Sequence, residues 1–278
     1  MSVLAFSLAV FAGSVVAGLL GALTGLGGGV VLVPLLVLLF GVDLHHALGA
    51  SLVSVIATSS GAASAYVREG YINLRVGMFL EVATTLGALA GASLLGVLPK
   101  RWVALVFGLV LLHSAYLSYR NRHQDTPLDP AASDPLAKRL RLEGALPTPG
   151  GPRPYGVRRL SGGFALMALA GMLSGLLGIG SGAVKVLAMD RVMGLPYKVS
   201  TTTSNFMIGV TAAASAGIYL RQGYIDPVVS FPVMLGVLLG AFLGARILPG
   251  SPTSRLRLVF ALVIAFLGVQ MVVQGVGG

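Results

Sequence analysis

Apolar residues fall in ten runs, at about 4–24, 30–40, 47–66, 76–98, 102–119, 161–178, 183–194, 199–220, 228–248 and 256–274. Eight of them approach the roughly 20 residues that a helix needs to cross a bilayer. A segment in lipid must satisfy its backbone polar groups internally, so each is predicted to be an α-helix. The other two, Val30 to Phe40 and Ala183 to Met193, have about 11 residues, or roughly 16 Å as helix, half the hydrocarbon thickness. Each follows a glycine cluster, and they read as short or re-entrant helices that begin inside the membrane. Between 120 and 160 the pattern lapses: this interval holds seven of the fourteen prolines and eight basic residues. It reads as a mobile cytoplasmic linker without a core of its own, with a short amphipathic turn from Leu136 to Leu142 lying on the membrane surface. The predicted organisation is a first transmembrane repeat over 1–119, the linker over 120–160 and a second repeat over 161–278.

The word repeat is literal. Residues 18–112 overlay 171–265 at an offset of 153 without a gap. GLLGALTGLGGGVVLV, Gly18 to Val33, falls on GMLSGLLGIGSGAVKV, Gly171 to Val186; YVREGYI from Tyr66 falls on YLRQGYI from Tyr219; LVFGLV from Leu105 falls on LVFALV from Leu258. Duplicated oily halves with matched breaks are a common construction of secondary transporters, with the binding site at the breaks. Lysines and arginines orient the halves, because they gather on the cytoplasmic side. With the linker cytoplasmic and Lys185 set aside, parallel halves place 11 basic residues inside and 7 outside, and inverted halves place 15 inside and 3 outside. Inversion fits the charges better. It also demands an odd number of crossings per half, which the short segment after each break supplies. The expected fold class is therefore an all-α integral membrane protein of two inverted-topology repeats, with about eight long helices and two short ones.

Composition agrees. The 278 residues are 55% hydrophobic and 10% charged, with a mean hydropathy of +0.89, against about 25% charged in a soluble domain. The absence of cysteine excludes disulfides and thiolate chemistry. The net charge of +10 is accounted for by topology, so no nucleic-acid partner is expected. The first apolar run lacks a basic leader and a cleavage site, and reads as a retained helix. The expected partners are the lipid bilayer, a small anion and, as a candidate, a second copy of the chain. No cofactor and no metal are expected.

Candidate chemistry gathers at the breaks, Gly25-Leu26-Gly27-Gly28-Gly29 and Gly178-Ile179-Gly180-Ser181-Gly182. A half-helix starting there offers unpaired N–H groups and the positive end of its dipole, so Gly27, Gly28, Gly29, Gly180, Ser181 and Gly182 are assigned to an anion site. The competing explanation is tight helix packing, which small residues also permit. Lys185, three residues past the second break, is an isolated cation in an apolar run and joins the site; snorkelling or pairing with Asp190 is its other explanation. Ser51, Ser204 and Asn205 bring a hydroxyl, a hydroxyl and an amide on the next helices. Ser51/Ser204 and Thr58/Thr211 coincide in the repeat, although such hydroxyls also bond their own helix. Glu81, within an apolar run and opposite Met234 in the repeat, is the proton-coupling candidate. Asp190 with Arg191 reads as a local ion pair. His45 and His46, after Asp43, read as a solvated connection.

At GLGGG followed by Val33-Pro34, at GIGSG, and at the duplicated Y-x-R-x-G-Y-I, the sequence resembles the TauE/SafE family of sulfite and organosulfonate exporters. The resemblance covers nearly the whole chain outside the linker. It implies a bacterial inner-membrane, multi-pass protein that exports sulfite or an organosulfonate. In the second half Ser181 replaces a glycine and Leu187 stands where the first half has Pro34, departures that bear on substrate more than on fold. The expected function is a secondary transporter of such an anion, alternating its access at the interface of the repeats. The alternatives are a passive anion channel or a carrier of another small anion such as a carboxylate or sulfate. An enzyme is not expected: there is no H-E-x-x-H, and all four histidines precede Ser181. There is also no Walker A motif to use ATP.

Overall fold

The computed structural model describes residues 3–24, 28–69, 71–120, 130, 133–148, 150–247 and 253–277. The long helices are α1 (Val3–Thr24), α3 (Leu44–Glu69), α4 (Leu74–Leu95), α5 (Lys100–Arg120), α7 (Leu160–Leu177), α9 (Tyr197–Arg221), α10 (Pro227–Ile247) and α11 (Thr253–Gly277). The short helices are α2 (Gly29–Pro34) and α8 (Gly182–Leu187), and each runs on into a five-residue π-turn, Leu35–Leu39 and Ala188–Val192. A small helix α6 (Pro135–Arg139) and strands β1 (Gly144–Leu146) and β2 (Arg153–Tyr155) complete the set. Pro34, which has no N–H to donate, invites the first π-turn. Leu187 takes the same place before the second, so the overall packing imposes the turn whether or not a proline is present.

The helices pair as α1 with α10, α4 with α7, α5 with α11 and α3 with α9, with α3 also against α10 and α4 against α9. Exchanging repeat-equivalent helices leaves that set unchanged. The exchange holds at single residues: Gly18 packs on the Val237 carbonyl as Gly171 packs on that of Thr84, and Gly87 lies on Ala168 as Gly240 lies on Val15. Gly49 abuts the Tyr224 carbonyl, and its repeat mate Thr202 donates a hydroxyl to the Tyr71 carbonyl at 3.0 Å. Along α5 and α11, Leu105 meets Gly275 whereas Leu111 meets Gly268, so this equivalent pair is antiparallel. By the same test α1 and α10 run parallel, Val15 meeting both Gly236 and Gly240 and Leu19 meeting Gly240.

Large apolar side chains cover the outside. Leu86, Leu109, Phe231, Phe242, Leu262 and Phe266 are each more than half exposed, a surface suited to lipid and costly in water. Among the described residues two helices, 74–95 and 160–177, are by themselves long and apolar enough to cross a membrane, with mean hydropathy 1.6 and 1.8. The molecule is a helical membrane protein with almost no sheet.

The interval after α5 differs from the linker without a core that its prolines suggest. From Ser133 on it folds. Pro135 opens α6 at its first turn, where a missing N–H costs nothing, and β1 pairs antiparallel with β2. Ala137, Leu142, Tyr155 and Val157 are buried with Val76, Leu80, Met167, Met189 and Met193 in one cluster. Asn73 fastens it: its side chain caps α4 at Val76 N (3.1 Å) and donates to Leu142 O and Tyr155 Oη, both at 2.9 Å. The amphipathic turn read at Leu136 to Leu142 is present, with Leu136 and Leu140 outward and Ala137 inward.

Candidate functional site

The two breaks meet. A Cβ placed on Gly29 would stand 2.5 Å from Ser51 Oγ and 3.4 Å from Ile179 Cα, so the start of α2 lies against the middle of the second break. Gly28 is buried beside Gly18 and Val237; Gly25, Leu26 and Gly27 lie outside the described residues. Ser51, on α3, donates to Gly178 O at 2.9 Å and ties the first half to the second break. Its repeat mate Ser204, on α9, reaches Gly182 O at 3.4 Å. Asn205, half-buried, follows Ser204.

The second break is left-handed over much of its length, with φ of 62° at Gly178, 79° at Gly180 and 45° at Ser181. Glycine adopts this region freely; serine does so against a steric cost. Ser181 nonetheless opens α8, and its carbonyl accepts from Val184 N at 3.1 Å and Lys185 N at 3.2 Å. Its own Oγ is buried with no partner among the described residues. A buried hydroxyl without a partner is expensive, and here it sits at the end of a helix, among first-turn N–H groups that have no intrahelical acceptor.

One turn on, Lys185 is completely buried. Its Nζ donates to Thr211 Oγ1 at 2.6 Å, and Thr211 Oγ1 lies 2.7 Å from Glu81 Oε1 and 2.8 Å from Met207 O. Thr85 also donates to Glu81 Oε1, at 3.3 Å, while Oε2 is buried without a partner among the described residues. Lys185 and Glu81, read separately from the sequence, are thus joined through one hydroxyl. The desolvation of each charge is offset by the other.

The expected alternatives sort plainly. Asp190 meets Arg191 Nε at 3.3 Å, the local pair read from the sequence, and Lys185 turns to Thr211. Thr58, among the described residues, donates to its own helix, at Ser54 O and Val55 O. The histidines are a correction: they do not lie in a solvated connection but in the first turn of α3. The His45 ring stacks on Tyr224 at 4.6 Å, beside Asp43, which also holds Lys100. Sequence reading missed Thr211 as the link between the two charges. The available signal was the packing of the halves by exchange, which brings α4 of one half against α9 of the other.

A family model described as Sulfite exporter TauE/SafE matches residues 10–271. The chain is 26% identical over 268 residues to the probable membrane transporter protein YunE of Bacillus subtilis (strain 168), covering 94% of this chain and 95% of the relative. It is 27% identical over 255 residues to the probable membrane transporter protein YdhB of the same organism, covering 91% and 95%. A probable membrane transporter protein of Xylella fastidiosa (strain 9a5c) is 24% identical over 275 residues, covering 98% and 97%. No solved structure matches the chain.

Proposed function

The chain belongs to the TauE/SafE sulfite exporter family, and from that premise we propose that it is a secondary transporter moving a small sulfur-containing anion, sulfite or an organosulfonate, out across the bacterial inner membrane. The observation that carries this reading is the fully buried Lys185 one turn beyond Ser181, whose buried hydroxyl has no partner among the described residues, at the point where the two breaks touch. A sulfur oxyanion presents several acceptor oxygens and at least one negative charge. The Lys185 ammonium, the Ser181 hydroxyl and the N–H groups at the start of α8 are the donors we assign to it. Gly28, Gly29, Gly180 and Gly182 let the side chains of Val237, Ser51, Val55 and Ile208 close directly on the backbone of the two breaks. Ser51, Ser204 and Asn205 hold the walls of the site, and Glu81 is the residue we assign to proton coupling.

The exchange symmetry, with α5 antiparallel to α11, supports inverted repeats whose short helices enter from opposite sides of the membrane. Helix α1 packs on α10, and α4 packs on α7. The bodies that rock in alternating access are accordingly drawn from both halves rather than being the halves themselves.

The test is flux in liposomes loaded with sulfite. Outward movement accelerated by sulfite or a sulfonate on the far side supports a carrier; equal flux with and without that anion identifies a channel. Flux no greater than from empty liposomes for sulfite, sulfonates, sulfate and carboxylates alike would remove the proposal.

A further inference from the structure

We propose that the anion and Glu81 exchange for Lys185 through Thr211, so that the anion is bound only as Glu81 takes up a proton and one proton travels with each monovalent anion. The inference rests on the anion site and on the assignment of Glu81 made above, and adds the route through Thr211 and the stoichiometry. A threonine hydroxyl has one proton to give and two lone pairs with which to accept. Around Thr211 stand one donor, Lys185 Nζ at 2.6 Å, and two acceptors, Glu81 Oε1 at 2.7 Å and Met207 O at 2.8 Å. With Glu81 ionised, the Thr211 proton goes to the carboxylate, and the buried site holds one positive and one negative charge.

An anion arriving at Lys185 would leave two negative charges against one cation in a place where uncompensated charge is costly. Neutrality returns when Glu81 binds a proton from the water on the open side. The new O–H donates to Thr211 Oγ1, and Thr211 turns its own proton to the Met207 carbonyl, which is already in reach. One O–H bond forms, and on release of the anion it breaks.

The folded interval packed on α4 brings Tyr155, whose hydroxyl accepts from Asn73, and Glu143, which follows Leu142 in that cluster. Helix α7, packed on α4, carries no titratable residue. Helix α9 carries Tyr197, Lys198, Tyr219 and Arg221. The Tyr219 hydroxyl donates to Gly175 O at 2.8 Å, Lys198 lies over the Tyr71 ring at 3.6 Å, and Arg221 ends the helix. Beyond α8, Asp190 faces Arg191. On α4 itself Arg75 donates to Arg141 O at 3.2 Å, away from Glu81. The repeat-equivalent positions of Lys185, Thr211 and Glu81 are Leu32, Thr58 and Met234. There, among the described residues, the hydroxyl bonds its own helix, and neither a lysine nor a glutamate stands at the equivalent places.

Proton uptake in weakly buffered detergent solution, read with a pH dye on adding ethanesulfonate or sulfite to the purified protein, tests this. The expected result is about one proton per ethanesulfonate bound, with Kd rising about tenfold per pH unit on the alkaline side. Glu81→Gln should bind with no uptake beyond the anion's own and with no pH dependence. Glu81→Met, which copies the residue at 234, serves if the first variant does not fold. Wild-type binding without uptake overturns the coupling, as does uptake that persists in either variant, which would place the proton on Lys185. If neither anion binds the wild type, the anion site itself is wrong and the coupling falls with it.

Discussion

At the scale of the residue, two side chains are held against their own preference. Ser181 sits at φ 45° with a buried, unpartnered hydroxyl; the left-handed backbone costs a β-carbon residue roughly 1–2 kcal/mol. Ser181→Gly should therefore raise the melting temperature in detergent while weakening sulfite binding. A variant that gains stability and keeps full affinity would remove Ser181 from the site. Lys185 is the second case. Replacing it by Met leaves Glu81 buried without its cation, a loss of roughly 3–5 kcal/mol for a broken buried pair. The double variant Lys185→Met, Glu81→Gln should recover most of that stability, and neither variant should bind anion. Lys198→Ala, which removes an exposed cation stacked on Tyr71, should leave binding nearly unchanged. Anion affinities measured by calorimetry for the three variants decide the matter, and equal losses in the Lys185 and Lys198 variants would end the assignment.

At the scale of the element, the long helices were legible to within about three residues at their ends, because runs such as 76–98, found as Leu74–Leu95, can do little in lipid except form a helix. The folded part of the 120–160 interval was not legible. Its core comes from other elements: Leu142 and Tyr155 are buried against α4 and α7, and Asn73, a turn residue far off in sequence, supplies the bonds that hold them. Asn73→Ala should release β1 and β2, seen as faster hydrogen exchange over 142–157 with α1 and α5 unchanged. Unchanged protection there would mean that apolar packing alone holds the module. The corner before α3 carries a pH dependence. Burial alone would push the Asp43 carboxyl up, but the Lys100 hydrogen bond and charge, with the N–H of His45, outweigh it and hold the carboxyl below its ordinary 3.8. A carboxyl lowered in the folded state contributes stability above its unfolded value, and that contribution is lost as pH falls through the folded one. The melting-temperature advantage of wild type over Asp43→Asn should hold near neutrality and close in acid below about pH 3.8. An advantage that persists there would show that the charge contributes nothing.

At the scale of the whole molecule, the offset of 153 residues becomes a contact rule: where one residue touches another, their repeat mates tend to touch as well. The rule follows from a two-fold relation between the halves. The antiparallel run of α5 against its equivalent α11 sets that axis across the helices rather than along them. Under the inverted arrangement we propose, that axis lies in the bilayer plane, and the duplicated turns after Arg68 and Arg221 open on opposite faces. The natural chain has no cysteine, so single cysteines at 68 and 221 can be labelled without background. In right-side-out vesicles a membrane-impermeant maleimide should modify the cysteine at 221 and spare the one at 68 until the membrane is permeabilised. Modification of both from the same side would refute inversion. It would also remove the reason for two short helices to meet head to head, since parallel halves would bring both breaks in from one face and leave Lys185 without the opposing start of α2.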